Sequence, residues 1–454
     1  MSLQYVYFIG IGGIGMSAIA RYYHHAGYRV SGYDRTPSRL TAALSQEGMD
    51  IHYEDRPDLI PASVSETLVI YTPAIPESLQ ELQLVRQKGY RLIKRSLALG
   101  EIAAGQETLA IAGTHGKTTT STLLGHLLTD AQEGCTAFLG GISKNYHTNL
   151  LLSTNPVLVA EADEFDRSFL QLHPDIAAIT AIDADHMDIY HDLASIQEAF
   201  QSFARQVKKA IVLKQGVDLG LSDDALQARI YRYAYDQPAD FYAADIRPLP
   251  GGYFRFTLHT PKDPIPDCQV GIPGWVNVEN AVAAAAVAWL HGTCPEAIRK
   301  GLASYQGVER RFDVHVNTPE CAYVDDYAHH PKEIAAALSS IRNIFPGRRV
   351  TVVFQPHLFT RTRDFYLEFA ESLSQADEVI LLPIYPAREE PIPGVDAEMI
   401  RRQIQGPKAE LVTKEELLNH LSQQAIDILI TFGAGDIDRL IRPITDLLTT
   451  RTTR

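Results

Sequence analysis

Short apolar runs alternate with amphipathic stretches through the first hundred residues. The runs have the length of strands, and the stretch at residues 15–26 has the spacing of a helix. The apolar runs occupy residues 5–9, 29–33 and 67–71. This alternation predicts βαβ units and therefore a parallel sheet.

The same pattern starts again at residues 108–112, where an apolar run leads into a second glycine-rich turn and another helical stretch. A chain of this length exceeds what one hydrophobic core usually organises, so several domains are expected. We predict a first boundary near Gly105, giving domains at residues 1–105, 106–312 and 313–454.

The sequence pattern changes between residues 238 and 274, where proline and glycine residues separate short apolar runs such as 253–258. This punctuation predicts antiparallel strands, and the alanine-rich stretch 280–290 predicts a helix. A third α/β segment follows residue 311. Its strands are predicted at residues 349–354, 378–382 and 427–431.

Composition narrows the function classes. The 454 residues carry a formal net charge of −14, which would repel a phosphate backbone and argues against general nucleic-acid binding. No apolar run reaches about 18 residues, and residues 1–5 lack the basic start of a secretory signal, so a cytoplasmic protein without membrane contact is expected. The four cysteines are scattered, unlike those of zinc or redox motifs.

The first glycine-rich turn follows the first predicted strand and reads Gly10-Ile11-Gly12-Gly13-Ile14-Gly15. Glycines there let backbone N–H groups approach a pyrophosphate at the start of the helix. Asp34 ends the next strand, at the spacing of about 20 residues where dinucleotide folds place an acid for ribose hydroxyls. The pattern fits a dinucleotide or another nucleotide diphosphate equally well.

The second turn gives a more specific signal. It reads Gly113-Thr114-His115-Gly116-Lys117-Thr118-Thr119 and lies between a strand and a helix. Its amides can surround phosphate oxygens, Lys117 can neutralise β/γ charge, and the Thr118 hydroxyl can bind Mg²⁺. Two residues separate the glycines instead of the usual four, so the turn is a contracted P-loop.

Carboxylates follow two further strand-like runs. The run 157–160 leads to Glu161, which we predict to be a metal ligand because a carboxylate at a strand end beside a P-loop holds Mg²⁺. The acids that follow, Asp163, Glu164 and Asp166, are more typical of a solvated helix start. A second run, 176–182, precedes His186, which alone would more often be a capping or core residue.

The last third concentrates charge in three segments, residues 307–313, 324–331 and 354–363. The second follows a short strand, so its acids could meet a ribose and its histidines a substrate. The third offers guanidinium groups to carboxylate or phosphate. Each segment alone could equally be a cap or a surface ion pair.

Taken in order, these motifs resemble the Mur ligase family over nearly the whole chain. The resemblance depends on eight segments: residues 8–17, 112–120, 161–164, 185–188, 277–280, 310–313, 325–331 and 355–362. It implies an α/β protein of three domains: a Rossmann-like N-terminal domain, a central P-loop ATPase-like domain and a Rossmann-like C-terminal domain. The implied reaction uses ATP and Mg²⁺ to join L-alanine to UDP-N-acetylmuramate through an acyl-phosphate.

The resemblance also implies roles for individual residues. The UDP moiety would lie on Gly10, Gly12, Gly13, Ile14, Gly15, Asp34, Thr72 and Pro73. ATP would contact residues 113–119, Asn277, Asn280, Arg311 and Asp326, and Mg²⁺ would contact Thr118, Glu161 and His186. The incoming amino acid would face Tyr327, His329 and Arg361. Lys117, Glu161, His186 and Arg311 would be catalytic, and closure of the domains would assemble them.

Two segments depart from the family pattern. Leu358 stands where arginine is common, and residues 50–55, which include His52, lack a Gly-His pair. Three alternatives stay open: a murein peptide ligase of cell-wall recycling, an NAD-dependent oxidoreductase built on the first turn, and a nucleotide-binding regulatory module. A monomer or weak homodimer is expected.

Overall fold

The computed structural model describes residues 3–73, 75–183, 190, 193–387 and 389–452. Over these residues the chain divides into two compact units. The first comprises residues 1–247, 255–272 and 277–307, and the second comprises residues 248–254, 273–276 and 308–454. Across the described residues, no helix combines the length and apolar character needed to cross a bilayer.

The first sheet is parallel throughout and has the strand order β3-β2-β1-β4-β5. Its strands are β1 (Tyr5–Ile9), β2 (Arg29–Tyr33), β3 (Asp50–His52), β4 (Thr67–Tyr71) and β5 (Arg91–Lys94), and its helices are α1 (Ile14–His25), α2 (Arg39–Gln46), α3 (Gln80–Lys88) and α4 (Arg95–Ala103). The predicted strands 5–9, 29–33 and 67–71 are confirmed with the same bounds. The order reverses beside β1, where open α/β sheets bind their ligands.

The second sheet has the order β15-β14-β13-β12-β11-β10-β6-β9-β7-β8. Its strands are β6 (Glu107–Ala112), β7 (Thr136–Ser143), β8 (Thr148–Leu151), β9 (Val157–Ala162), β10 (Ile176–Ile179), β11 (Ala210–Lys214), β12 (Arg229–Ala234), β13 (Phe241–Leu249), β14 (Tyr253–His259) and β15 (Ile265–Gln269). The helices are α5 (Lys117–Asp130), α6 (Leu193–Gln206), α7 (Trp275–His291) and α8 (Pro295–Ser304). Strands β14 and β15 are antiparallel, which confirms the prediction for this segment.

The third sheet, in the second unit, has the order β16-β17-β21-β18-β19-β20, with only the β16–β17 pair antiparallel among its described pairs. Its strands are β16 (Asp313–Asn317), β17 (Ala322–Asp326), β18 (Val350–Phe354), β19 (Glu378–Leu381), β20 (Lys408–Leu411) and β21 (Ile428–Phe432). Its helices are α9 (Pro331–Ile344), α10 (Phe359–Leu373), α11 (Ala397–Arg401), α12 (Lys414–Ser422) and α13 (Ile441–Thr452). The three α/β sheets confirm the predicted fold class.

The first two sheets share one apolar core. A single buried cluster runs from Val6 and Phe8 of β1 to Leu158 of β9 and Ile211 of β11. Helix α1 packs on the second sheet, where the buried amide of Asn149 donates to the Ile14 carbonyl at 2.6 Å. The predicted change of sheet after residue 105 is therefore present, but a common core joins the two sheets into one unit.

Several predicted bounds differ from the structure, most by one residue and some by more. Helix α7 begins at Trp275, five residues before the predicted start, and strand β10 ends at Ile179 instead of residue 182. Residues 180 and 181 leave the ladder because they bond to the neighbouring glycine turn, as described below. Asp325 and Asp326 were expected to follow a strand, but they form the end of β17.

Candidate active site

The second glycine turn joins β6, a central strand of its sheet, to the start of α5. Gly113 and Gly116 have left-handed φ angles of +128° and +78°, which favour glycine. A Cβ on Gly113 would lie 2.2 Å from Thr180 Oγ1 and 2.8 Å from the Ala181 nitrogen. The turn therefore adopts a shape that a side chain at residue 113 would prevent.

Residues that follow β10 hold this turn in place. The Thr114 amide donates to the Ala181 carbonyl at 3.0 Å, and Thr180 Oγ1 donates to the His115 carbonyl at 2.5 Å. The His115 ring lies near a carboxylate, with Nε2 3.4 Å from Asp183 Oδ2. Helix α5 has a glycine as its N-cap and no side-chain cap bond, so its first amides are available to an anion.

Lys117 opens α5, and its ammonium group is buried among acids. Lys117 Nζ lies 3.0 and 2.8 Å from the two carboxylate oxygens of Glu164, and the two side chains are 12% and 1% exposed. Burial works to lower the pKa of Lys117, but the carboxylates of Glu164, Asp163 and Glu161 outweigh it and raise the pKa overall. Burial also raises the pKa of Glu164, and the charge of Lys117 opposes that rise. The pair thus holds a lysine beside the turn, where its ammonium group can neutralise a phosphate.

Glu161 lies within β9 and Thr118 in the first turn of α5. The Glu161 carboxylate fills the space beside Gly140 of β7, where a Cβ would lie 2.0 Å from Oε2. Glu161 and Thr118 supply carboxylate and hydroxyl oxygens, the donors that Mg²⁺ prefers. In the part of the chain that the structure describes, no three acidic, histidine or cysteine side chains gather as a metal site. His186, the third predicted ligand, lies outside the described residues.

Asn280 of α7 reaches the glycine turn, and Asn277 of the same helix contacts Asn280. Asn280 Oδ1 would lie 2.7 Å from a Cβ on Gly116, and it accepts from Thr120 Oγ1 at 3.4 Å. The Asn280 amide donates to Asn277 Oδ1 at 3.4 Å. The structure therefore brings the predicted ATP residues of the first unit together: residues 113–119, Asn277 and Asn280.

The first glycine turn joins β1 to α1 and is similar in outline. Gly10 has a φ of +91°, and a Cβ there would lie 2.7 Å from Thr72 Cγ2. The Gly12 amide donates to Asp34 Oδ2 at 2.7 Å. At the end of the turn, a Cβ on Gly15 would meet Arg95 Nη1 at 2.7 Å. The predicted UDP residues thus surround one loop at the carboxyl ends of β1, β2 and β4.

Glu164 is the site residue that the sequence analysis underestimated. Of the three acids interpreted as a solvated helix start, Asp163 pairs with Arg95 at 3.3 Å and Asp166 pairs with Lys94 at 2.8 Å. Glu164 is instead buried against Lys117, so that interpretation is wrong for it. The phenylalanine that follows it was the one local sign that part of this run turns inward.

The remaining predicted residues lie in the second unit. The carbon atoms at the centres of the Arg310 and Arg311 guanidinium groups lie 5.2 and 5.3 Å from the centre of the Tyr327 ring. His329 Nδ1 lies 3.0 Å from the Tyr327 carbonyl. Burial lowers the pKa of His329 against the opposing charge of Glu333. Tyr327 and His329 thus form one group.

Asp326 has a structural role that the sequence did not predict. Its two oxygens accept from the amides of Phe312 at 2.7 Å and Ala328 at 2.8 Å. Burial raises its pKa to about 6, and the charge of Arg311 opposes that rise. A contact between Asp326 and a ribose would use the second lone pair of an oxygen.

The chain matches family models over most of its length. Residues 5–107 match the Mur ligase family catalytic domain, residues 111–288 the Mur ligase middle domain, and residues 310–435 the Mur ligase glutamate ligase domain. The chain belongs to the Mur ligase family. Members of this family are ATP-dependent ligases, and the glycine turn with Lys117 lies within the match to the middle domain.

Individual relatives within the Mur ligase family are similar over whole chains. The UDP-N-acetylmuramate–L-alanine ligase of Parabacteroides distasonis is 48% identical over 98% of this chain and 97% of its own. The enzyme of the same name from Porphyromonas gingivalis strain W83 is 48% identical over 99% and 100%.

Solved Mur ligases have the same fold. The UDP-N-acetylmuramate–alanine ligase of Thermotoga maritima has a TM-score of 0.82 at 27% identity, covering 99% of this chain and 100% of its own. A murein peptide ligase from Psychrobacter arcticus has a TM-score of 0.72 at 22% identity, covering 98% of each chain. The second likeness shows the fold alone.

The structure shows the surroundings of both departures from the Mur ligase pattern, but it does not explain why leucine stands at residue 358. His52 Nε2 lies 2.9 Å from Glu81 Oε1 and 3.2 Å from the hydroxyl of Tyr7, so its ring is part of a polar cluster beneath the sheet. Burial raises the pKa of Tyr7, and Glu81 adds to the rise. Leu358 is the N-cap of α10, with a φ of +72° and an amide that donates to the Tyr385 carbonyl.

Proposed function

We propose that this chain joins L-alanine to the lactyl carboxylate of UDP-N-acetylmuramate, with ATP converted to ADP and phosphate, in the synthesis of peptidoglycan precursors. The observation that carries the proposal is the Lys117 arrangement. A buried cation opens a helix with uncapped amides, and the Glu161 carboxylate stands at the end of the neighbouring strand. This arrangement suits a triphosphate, and it lies within the match to the Mur ligase middle domain.

The reaction addresses a poor electrophile. The negative charge of a carboxylate repels the nucleophilic amine, and oxide is a very poor leaving group. Phosphorylation of the carboxylate removes both obstacles. An oxygen of the lactyl carboxylate attacks the γ-phosphorus, and the bond to the bridging oxygen breaks to release ADP. The ammonium group of alanine first gives a proton to solvent. The neutral amine then attacks the acyl carbon, the bond from that carbon to the phosphate oxygen breaks, and phosphate leaves with the electron pair and takes up the second proton from nitrogen.

Positioning and charge neutralisation supply most of the catalysis. Lys117 holds charge on the phosphate oxygens, and the amides of residues 113–119 fix their geometry. Thr118 and Glu161 would hold Mg²⁺, which when bound would neutralise further phosphate charge. Asn280 supports the turn from α7, and Asn277 contacts Asn280. The roles of Arg311, Tyr327, His329 and Arg361 stay predictions, as does that of His186.

The test is release of phosphate by the purified protein with ATP, Mg²⁺ and UDP-N-acetylmuramate. We expect release to depend on L-alanine, with a product heavier than the substrate by one alanyl residue. Release that depends instead on the tripeptide L-alanyl-γ-D-glutamyl-meso-diaminopimelate would favour a murein peptide ligase. Reduction of a nicotinamide dinucleotide without ADP formation would contradict both.

A further inference from the structure

Arg311 stands between two residues with unusual backbone angles. Arg310 has a φ of +62° and Phe312 a φ of +47°, in the left-handed region that favours glycine. Residues other than glycine keep such backbone conformations only where the surrounding structure stabilises them. The contacts that hold residues 310–312 therefore also determine where the Arg311 side chain leaves the backbone.

On one side, the Arg310 side chain is anchored in the interior of the second unit. Its Nε donates to Asp325 Oδ2 at 3.1 Å, and its Nη2 donates to the Gly433 carbonyl. Asp325 is fully buried, and its other oxygen accepts from Thr431 Oγ1 at 2.5 Å. The anchor thus joins the ends of β17 and β21, two paired central strands.

On the other side, two successive residues fix the backbone around Arg311. Asp326 Oδ2 accepts from the Phe312 amide at 2.7 Å, and the Tyr327 amide donates to the Arg310 carbonyl at 2.7 Å. The Tyr327 ring then faces both guanidinium groups. Arg310 occupies the buried acceptors, and Arg311 lies beside the ring, where the carboxylates of Asp326 and Glu333 interact with its charge.

We propose that Arg310 is a positioning residue, whose anchor in Asp325 and Gly433 fixes the 310–312 turn and thereby the Arg311 guanidinium group. The proposal rests on the proposed function, in which Arg311 supplies positive charge as the phosphoryl group transfers. Arg310 touches no reacting atom and acts through Arg311. The two adjacent arginines therefore have different roles: Arg310 fixes the geometry of the turn, and Arg311 supplies positive charge.

The test is a double-mutant cycle that combines Arg310→Lys with Arg311→Ala. Lysine keeps the charge of residue 310 but loses the planar fork that serves Asp325 and Gly433 at once. In the otherwise native enzyme we expect Arg310→Lys to lower kcat about tenfold, with KM for UDP-N-acetylmuramate unchanged. In the Arg311→Ala background the same change should lower kcat less than about twofold, because nothing remains to position.

A matched control is Arg348→Lys, which alters another arginine–aspartate pair of the second unit, with Asp427. It should leave kcat unchanged in both backgrounds. Equal losses for Arg310→Lys with and without Arg311 would overturn the proposal, because they indicate a general effect on folding. If Arg310→Lys does not fold, Thr431→Val, which removes one bond to Asp325 and keeps both charges, takes its place in the cycle.

The cycle is separable from the proposed function. A wild-type protein that releases no phosphate with L-alanine would contradict that function. In that case the same four proteins of the cycle would be compared by their affinity for ATP, measured by calorimetry. If Arg310→Lys weakens ATP binding only when Arg311 is present, the result supports the positioning role. Weakening independent of Arg311 overturns it.

Discussion

The two glycine turns of the first unit each join a parallel strand to a helix, but they differ in the side chains around them. Each follows a central parallel strand, and each leads into a helix with a glycine N-cap and no side-chain cap bond. In the first turn the Gly12 amide is bonded to the carboxylate of Asp34. In the second, the ammonium group of Lys117 lies against Glu164.

This difference suits the first turn to binding a diphosphate and the second turn to phosphoryl transfer. Both turns offer amides to phosphate oxygens, so the backbone alone does not distinguish a bound diphosphate from a reacting triphosphate. A carboxylate beside the turn suits the hydroxyl groups of a ribose, whereas a buried cation suits charge that moves during phosphoryl transfer. We therefore expect changes in the second turn to affect turnover or ATP affinity, and changes in the first to affect affinity for UDP-N-acetylmuramate.

The largest expected effect is that of Lys117→Ala. Removing the cation should lower L-alanine-dependent phosphate release by about a thousandfold, because a preorganised charge at a reacting phosphate contributes that much. Affinity for UDP-N-acetylmuramate, measured by calorimetry, should stay nearly unchanged. Lys209→Ala is the matched control, since Lys209 is an exposed lysine paired with Glu107 at the start of β6. Wild-type turnover by Lys117→Ala would remove Lys117 from its role.

The glycines themselves provide a second test of the comparison. A Cβ on Gly113 would meet backbone nitrogens of residues 180 and 181, whereas a Cβ on Gly10 would meet only the side chains of Thr72 and Ile75, which can move. Gly113→Ala should therefore weaken ATP binding about a hundredfold, and Gly10→Ala should weaken UDP-N-acetylmuramate binding about tenfold. Each should leave the other ligand's affinity within about threefold.

The control for both is Gly105→Ala. Gly105 has a φ of +83°, and a Cβ there meets nothing within 4 Å. It isolates the cost of a left-handed alanine, about 1 kcal/mol of unfolding free energy, from the cost of lost space. If Gly113→Ala weakened both ligands equally, the two turns would not be independent sites.

Local patterns were enough to predict the two turns but not what faces them. Strand–turn–helix periodicity and glycine spacing are local, so β1, β2 and β4 were predicted with correct bounds. Strand β10 ended early because Thr180 and Ala181 bond to the second turn, a contact between residues far apart in the chain. The start of α7 was missed because Trp275 and Val276 lack the strong helix propensity of the alanines that follow.

Glu164 shows the same limit at the level of charge. A run of acids in a sequence does not reveal which of its members another element will cover. Only the fold places α5 so that Lys117 faces Glu164, while Asp163 and Asp166 pair with Arg95 and Lys94 at partly exposed positions. The contacts of Arg310 with Asp325 and Gly433 were equally invisible, since they join segments of one unit that are distant in sequence.

The smallest expected effect is that of Glu164→Gln, which tests the partner of Lys117 in the second turn. Glu164→Gln leaves Lys117 without its main partner, although Asp163 and Glu161 still stabilise its charge. The loss should lower the free energy of unfolding of the nucleotide-free protein by about 2 kcal/mol, less than for a fully isolated buried charge. Chemical denaturation measures it. Saturating ATP should recover most of the loss, because the phosphates then take the place of Glu164 beside Lys117.

Asp166→Asn is the control for this last change, because it breaks a pair of the same segment at the surface. Asp166 and Lys94 are 33% and 46% exposed, so the pair contributes less than about 1 kcal/mol and should not respond to ATP. An equal, ATP-independent loss in both variants would mean that Glu164 stabilises the fold without competing with phosphate for Lys117. Recovery by ATP in Glu164→Gln alone would instead identify the buried pair as the nucleotide-free state of the second turn.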